Sequence, residues 1–182
     1  KAYASTLFRP TPDAMKAAVA GYLERGFRAI KFGWGAFGYD LALDVALVKA
    51  AREETGPGIE IMVDGGWYGT DYANPFKAHP AKDWIKLVGA LDALDIFWLE
   101  DFMHPENFAG YGEVSSHTRT LRIAAGEQLA GIADFERLAN EGRAHVLQPD
   151  LSRCGGLTVG RQIADLAMRR QIECAPHAWL TD

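Results

Sequence analysis

Cysteine is scarce in this chain: Cys154 and Cys174 are the two among 182 residues. Two cannot build a disulfide scaffold, and neither sits in a CxxC pair of the kind that binds zinc or cycles between thiol and disulfide. A reducing, cytoplasmic compartment is the expectation. A basic excess is lacking too, since 19 Lys and Arg stand against 24 Asp and Glu for a formal charge of −5. That balance gives a polyanion-binding role no electrostatic support, so nucleic acid is not an expected partner. No run approaches the roughly 18 uninterrupted apolar residues of a membrane span. The opening KAYASTLFRPTPD also lacks the charged-then-apolar layout of a signal peptide, and neither a membrane partner nor export is expected. A glycine-rich dinucleotide fingerprint is absent as well: the first apolar run is followed by Leu7-Phe8-Arg9-Pro10 where GxGxxG would stand.

What is present is 48% hydrophobic and 24% charged residues, an ordinary globular usage with enough chain to bury a core. Seven short apolar runs recur: AYAS (2–5), RAIKFGW (28–34), EIMVDGG (60–66), IFWLEDF (96–102), RIAAGE (122–127), HVLQPDL (145–151) and IECAPHA (172–178). They are nearly continuous rather than alternating, as parallel strands covered on both faces are. Helical signals lie between them. Thr11-Pro12-Asp13 predicts a capped start with proline in the first turn, and Gly26 a stop. A second helix is predicted from Asp40 to Gly56 with Leu41, Val45 and Val48 on one face. Trp84, Leu87, Val88 and Leu91 recur at i, i+3, i+4 and i+7, and Thr158 precedes a helix whose stripe is Ile163, Leu166 and Ala167. Residues 107–118 carry few periodic apolar positions and set no helix boundary. The stretch 67–80, WYGTDYANPFKAHP, reads as a loop, on the substrate side or simply at the surface.

Strand plus helix is thus the repeating unit of an α/β fold, and without the dinucleotide fingerprint a (β/α)8 TIM-type barrel is preferred over an open doubly wound sheet. A barrel needs eight strands and typically about 250 residues. Seven strands are visible here, so residues 1–182 are expected to be a single barrel domain that is a fragment of a longer chain.

Six strand candidates place an ionisable residue at or near the carboxyl end: Lys31, Asp64, Glu100, Glu127, Asp150 and His177, spaced by 33, 36, 27, 23 and 27 residues. A charged residue closing an apolar strand is usually only the transition to solvent. Six in register, one per strand-helix unit, should surround one mouth of the barrel. Asp64, Glu100 and Glu127 fall on consecutive strands, where three carboxylates would repel unless a cation neutralised them. All-oxygen ligation favours Mg²⁺ over zinc, and the competing reading is that a carboxylate pairs with Lys31. Asp150 and His177 end neighbouring strands, so the carboxylate can fix one imidazole nitrogen and leave the other as a general base or acid. His79, His104, His117 and His145 are read as structural.

In IKFG, MVDGG, WLEDF, AAGEQ, QPDLSRCGGLT and APHAW, the chain resembles the enolase superfamily and, within it, the mandelate racemase-like subgroup. The resemblance implies that Asp64, Glu100 and Glu127 are Mg²⁺ ligands, that Asp150 and His177 form the catalytic dyad, and that Lys31 supports a substrate carboxylate. The family's amino-terminal capping domain and eighth strand lie outside this sequence, and an isolated fragment could be a non-catalytic barrel. Many relatives carry Lys-x-Lys on the second strand, whereas here it reads Lys31-Phe32-Gly33, so the second base needed for racemisation is absent. The epimerase and cycloisomerase branches typically put lysine on the sixth strand, where this chain has Asp150. The activity the resemblance implies is therefore abstraction of a proton α to a carboxylate followed by dehydration of a sugar acid to a 2-keto-3-deoxy acid, with racemisation or epimerisation of a 2-hydroxy acid as the alternative. The expected partner is a small carboxylate substrate, and the expected assembly a homo-oligomer.

Overall fold

The computed structural model describes residues 2–66 and 79–178. Thirteen elements alternate along them: β1 (Ala4–Leu7), α1 (Pro12–Glu24), β2 (Ala29–Gly33), α2 (Leu41–Thr55), β3 (Glu60–Asp64), α3 (Ala81–Ala93), β4 (Trp98–Glu100), α4 (Phe108–Ser115), β5 (Arg122–Ala125), α5 (Gly131–Asn140), β6 (Val146–Leu147), α6 (Gly156–Arg170) and β7 (Glu173–Cys174). The strands form one sheet in sequence order, every neighbouring pair parallel. Consecutive order with a helix between successive strands is the (β/α)8-type arrangement, here with seven strands. Residues 67–78, most of the loop expected at 67–80, lie outside the described residues. No described helix is long and apolar enough to cross a membrane.

The helix starts follow the local chemistry. Thr11 accepts a hydrogen bond from the Ala14 amide at 3.2 Å, with Pro12 in the first turn of α1, and Asp40 caps α2 by accepting from the Ala42 and Leu43 amides. Trp84, Leu87, Val88 and Leu91 are all buried on α3, as are Ile163, Leu166 and Ala167 on α6. Three details differ from the sequence expectation. The stripe of α2 centres on Leu47, Val48 and Ala51, with Leu41 and Val45 half-buried beside it. Its fourth position is a buried acid, Asp44, whose carboxylate accepts from the Gly38 amide at 3.0 Å. Thr158 lies inside α6 rather than before it, because Gly155, at φ 117°, turns the chain into the helix three residues earlier. The 107–118 segment does hold a helix, α4, but Phe108, Tyr111, Val114 and Ser115 bury it on several sides, so no one-sided stripe marks it.

Two apolar clusters follow from the strands' two-residue period. Ile30, Phe32, Ile61, Val63, Leu99, Ile123, Ala125 and Leu147 join the main core beneath the helices. The alternate positions Ala29, Met62, Trp98, Ala124 and Val146 form a second, smaller cluster. It comes from five adjacent strands, so it is the layer filling the barrel interior.

At the amino-terminal end of the sheet, the Arg52 guanidinium donates to the carbonyls of Gly56, Ile59, Leu94 and Asp95 at 2.7–3.0 Å. One side chain thereby ties the end of α2 to the loops entering β3 and β4. Arg52→Ala should lower unfolding stability by about 2–3 kcal/mol in denaturant titration, because it leaves several carbonyls unmet at once. A loss below about 0.5 kcal/mol would show that water replaces these bonds without cost.

Candidate active site

The second inward layer sits above the apolar one, at the carboxyl ends of the strands. On β2, Lys31 is two residues beyond Ala29; on β3, Asp64 is two beyond Met62; on β4, Glu100 is two beyond Trp98; just past β6, Gln148 and Asp150 continue the parity of Val146. Period-two geometry therefore sends all of these to the same side. Glu127 arrives differently. It follows Gly126, whose φ of 128° is open to glycine and whose added Cβ would meet the Phe135 ring at 2.7 Å.

The structure brings the six expected residues into two linked groups. In the first, the Lys31 ammonium donates to Glu100 Oε1 at 2.6 Å and lies 3.3 Å from Asp64 Oδ2, all three side chains being at most 8% exposed. Glu100 Oε2 accepts from the indole of Trp98 at 2.7 Å, and Asp64 Oδ1 from the Gly66 amide at 2.8 Å. In the second group, Asp150 Oδ2 is 2.8 Å from His177 Nδ1, and Glu127 Oε2 is 3.0 Å from His177 Nε2. Backbone pairing sets the dyad, since Asp150 and His177 form a parallel bridge in which the His177 amide donates to the Pro149 carbonyl. Asp150 Oδ1 accepts from the amide and hydroxyl of Ser152. The other histidines bond to the backbone: His79 with the Gly38 carbonyl, His104 with the Glu106 amide, His117 with the Glu113 carbonyl and His145 with the Ile123 amide.

The electrostatics follow from burial and neighbours. Desolvation alone would lower the Lys31 pKa, but Glu100 and Asp64 hold it well above its ordinary value. Burial and the adjacent Glu100 push the Asp64 carboxyl up to about 7, against the opposing pull of Lys31. Burial also raises Glu127, while His177 pulls it down and Glu100 adds to the rise. Asp150 is pushed up by burial, yet the bonds from Ser152 and His177 leave it below the usual carboxylate range.

A cavity of about 270 Å³ opens beside these groups, lined by Ser5, Thr6 and Leu7 of β1, by Lys31, Asp64 and Gln148, and by Pro176 and His177. Residues from both ends of the strand order share it, as the curl of a barrel requires. Gly33 faces Asp64 across the β2–β3 register, and a Cβ at 33 would stand 3.1 Å from the Asp64 carboxylate. A lysine there could enter only if Asp64 shifted.

Three features of the site lay beyond the sequence reading. Asp101 is buried, with φ 39°; its Oδ2 has no hydrogen-bond partner, and burial together with Glu127, Glu100 and Asp64 raises its carboxyl well above the ordinary value. It follows Glu100 directly, in a left-handed backbone, and the charges that act on it are those of the site. Ser152 braces the dyad from the loop after β6. Gln148 was missed too, although its two-residue spacing from Asp150 is the signal that could have found it.

The donor chemistry fits a hard divalent cation. Four carboxylates with oxygen ligands only (Asp64, Glu100, Asp101 and Glu127) share the mouth with one lysine, and an Asp101 oxygen is left orphaned. The ligands are not gathered around one point, however: among the described residues no three His, Cys, Asp or Glu side chains are disposed to hold a metal. Lys31 takes Asp64 and Glu100, the pairing the sequence offered as the competing reading, while His177 takes Glu127.

Comparison with known proteins gives the context. Residues 14–182 match the family described as enolase C-terminal domain-like. The chain is 32% identical to a 3,6-anhydro-alpha-L-galactonate cycloisomerase of Streptomyces coelicolor over 92% of its own length and 43% of that protein's. It superposes on a predicted mandelate racemase from Rhodobacter sphaeroides with a TM-score of 0.84 at 32% identity, covering 97% of this chain and 44% of the other. A racemase from Streptomyces coelicolor A3(2) with bound magnesium gives a TM-score of 0.79 at 28% identity, over 96% of this chain and 49% of that one. The chain thus spans less than half the length of the relatives it matches.

Proposed function

This chain belongs to the enolase C-terminal domain-like family, and from that premise we propose that the protein abstracts the proton α to a carboxylate in a Mg²⁺-dependent reaction, most specifically the dehydration of a sugar acid. The observation that carries the reading is the Asp150–His177 pair, 2.8 Å apart, whose imidazole lines one cavity with Lys31 and Asp64. Asp64, Glu100 and Glu127 would hold the ion. When bound, Mg²⁺ supplies positive charge against the substrate carboxylate, whose α-proton is otherwise very weakly acidic.

Each residue then has a defined task. Asp150, itself fixed by Ser152, keeps the proton on His177 Nδ1 and orients the ring, so that Nε2 is the atom that receives the substrate proton. Glu127 now occupies Nε2 and must turn away for that transfer. Lys31 places an ammonium beside the carboxylate end of the substrate. Loss of a β-hydroxyl needs one base and one acid, which the dyad provides, whereas racemisation needs a base on each face and Gly33 offers none.

Ring closure or opening of an acid sugar is the second reading, favoured by the likeness to a cycloisomerase. It begins with the same abstraction and differs in the fate of the electron pair. The full-length protein, incubated in D₂O with Mg²⁺ and an acid-sugar library, should yield a 2-keto-3-deoxy acid, and deuterium returned to recovered substrate should appear with retained configuration. Accumulation of both α-configurations without keto acid would defeat dehydration. An isomeric lactone or anhydro sugar with no loss of water would select the second reading.

A further inference from the structure

The cavity holds one polar side chain that this chemistry leaves unused. Gln148 is 3% exposed, lines the cavity with Lys31, Asp64 and His177, and presents an Oε1 with no hydrogen-bond partner. Its main chain is fixed, the amide donating to the Ala125 carbonyl at 2.9 Å. Its place is set as well, just past β6 and two residues from both interior Val146 and Asp150. An unmet buried amide oxygen destabilises the fold, and an apolar residue of the same shape would avoid that cost. Among the described residues Trp84 carries the other neutral orphan, but it lines no part of this cavity and offers only a donor.

Building on the reading of the site as an α-proton centre, we propose that Gln148 is a specificity-determining residue that takes a substrate hydroxyl beyond the α-carbon. The charged groups at the mouth suit the charged end of a substrate, its carboxylate and α-oxygen. A carboxamide carries no charge to match these, and its oxygen would repel a carboxylate. It offers one acceptor and two donors, and a neutral hydroxyl can serve either end of the amide. Sites built to bond a hydroxyl discriminate against analogues that lack it, because the buried polar group is then left unpaired. The substrate class is therefore a polyhydroxy acid rather than a simple 2-hydroxy acid.

Racemic glycerate and racemic lactate test this, since they share the α-hydroxy acid unit and differ only in the β-hydroxyl. Titrated with Mg²⁺ into the full-length protein, glycerate should bind at least about tenfold more tightly than lactate. Gln148→Leu should bring glycerate down to the lactate affinity and leave lactate unchanged, with Gln148→Met as the equivalent if the leucine variant does not fold. Equal binding of the two acids by the unmodified protein, or a preference that survives in the variants, overturns the role of Gln148 while leaving the α-proton reading intact. Failure of the unmodified protein to bind either acid overturns both.

Discussion

His177→Asn in the full-length protein should lower turnover by at least about 10²–10⁴-fold, the range that general acid–base catalysis supplies, and leave the barrel folded. The ring is 15% exposed, lies at the mouth rather than in either apolar cluster, and is held by two carboxylates at 2.8 and 3.0 Å. Asparagine keeps a polar group of similar reach, so the packing under the site is undisturbed, but it cannot carry a proton between substrate and solvent. The loss should fall on kcat, with substrate affinity changed much less, since the proton is transferred only in the transition state. Circular dichroism and the unfolding midpoint should match those of the unmodified protein. A variant that turns over normally would assign the base elsewhere, Lys31 being another titratable group that lines the cavity.

The second large effect concerns stability. Lys31→Met should destabilise the protein by about 3–5 kcal/mol in the absence of divalent ions, the cost of leaving buried charge uncompensated. Lys31 is the cation that stands 2.6 Å from Glu100 and 3.3 Å from Asp64, in surroundings where burial and mutual repulsion already raise Asp64. Methionine fills the same volume and supplies no charge. Added Mg²⁺ should then restore more stability to the variant than it adds to the unmodified protein, because the freed carboxylates bind the ion only in the folded state. Denaturant titration with and without Mg²⁺ reads both effects. Equal stability of the two proteins without metal would mean that the Lys31 pairs contribute nothing net. Equal stabilisation by Mg²⁺ would mean that Asp64 and Glu100 are not what the ion binds.

Some of this was legible in the sequence because it depends on local rules. Strand-helix alternation, the Thr11 and Asp40 caps, the α3 and α6 stripes and the placing of six ionisable groups at strand ends all follow from periods of two and 3.6 residues, and the observed elements lie within a few residues of those expectations. The neighbourhood of Asp150 and His177 was legible for the same reason, because consecutive parallel strands place their carboxyl ends side by side. Tertiary structure decided the rest. Which carboxylate meets which cation is a competition among buried charges separated by 33–69 residues, and no local pattern encodes its outcome: Lys31 takes Asp64 and Glu100, and Glu127 goes to His177. The burial of Asp101, with one carboxylate oxygen left without a hydrogen-bond partner, also emerged only in the fold. The unmet oxygen of Gln148 could be known only once every neighbour was in place, because hydrogen-bond satisfaction is a property of the whole enclosure rather than of the residue.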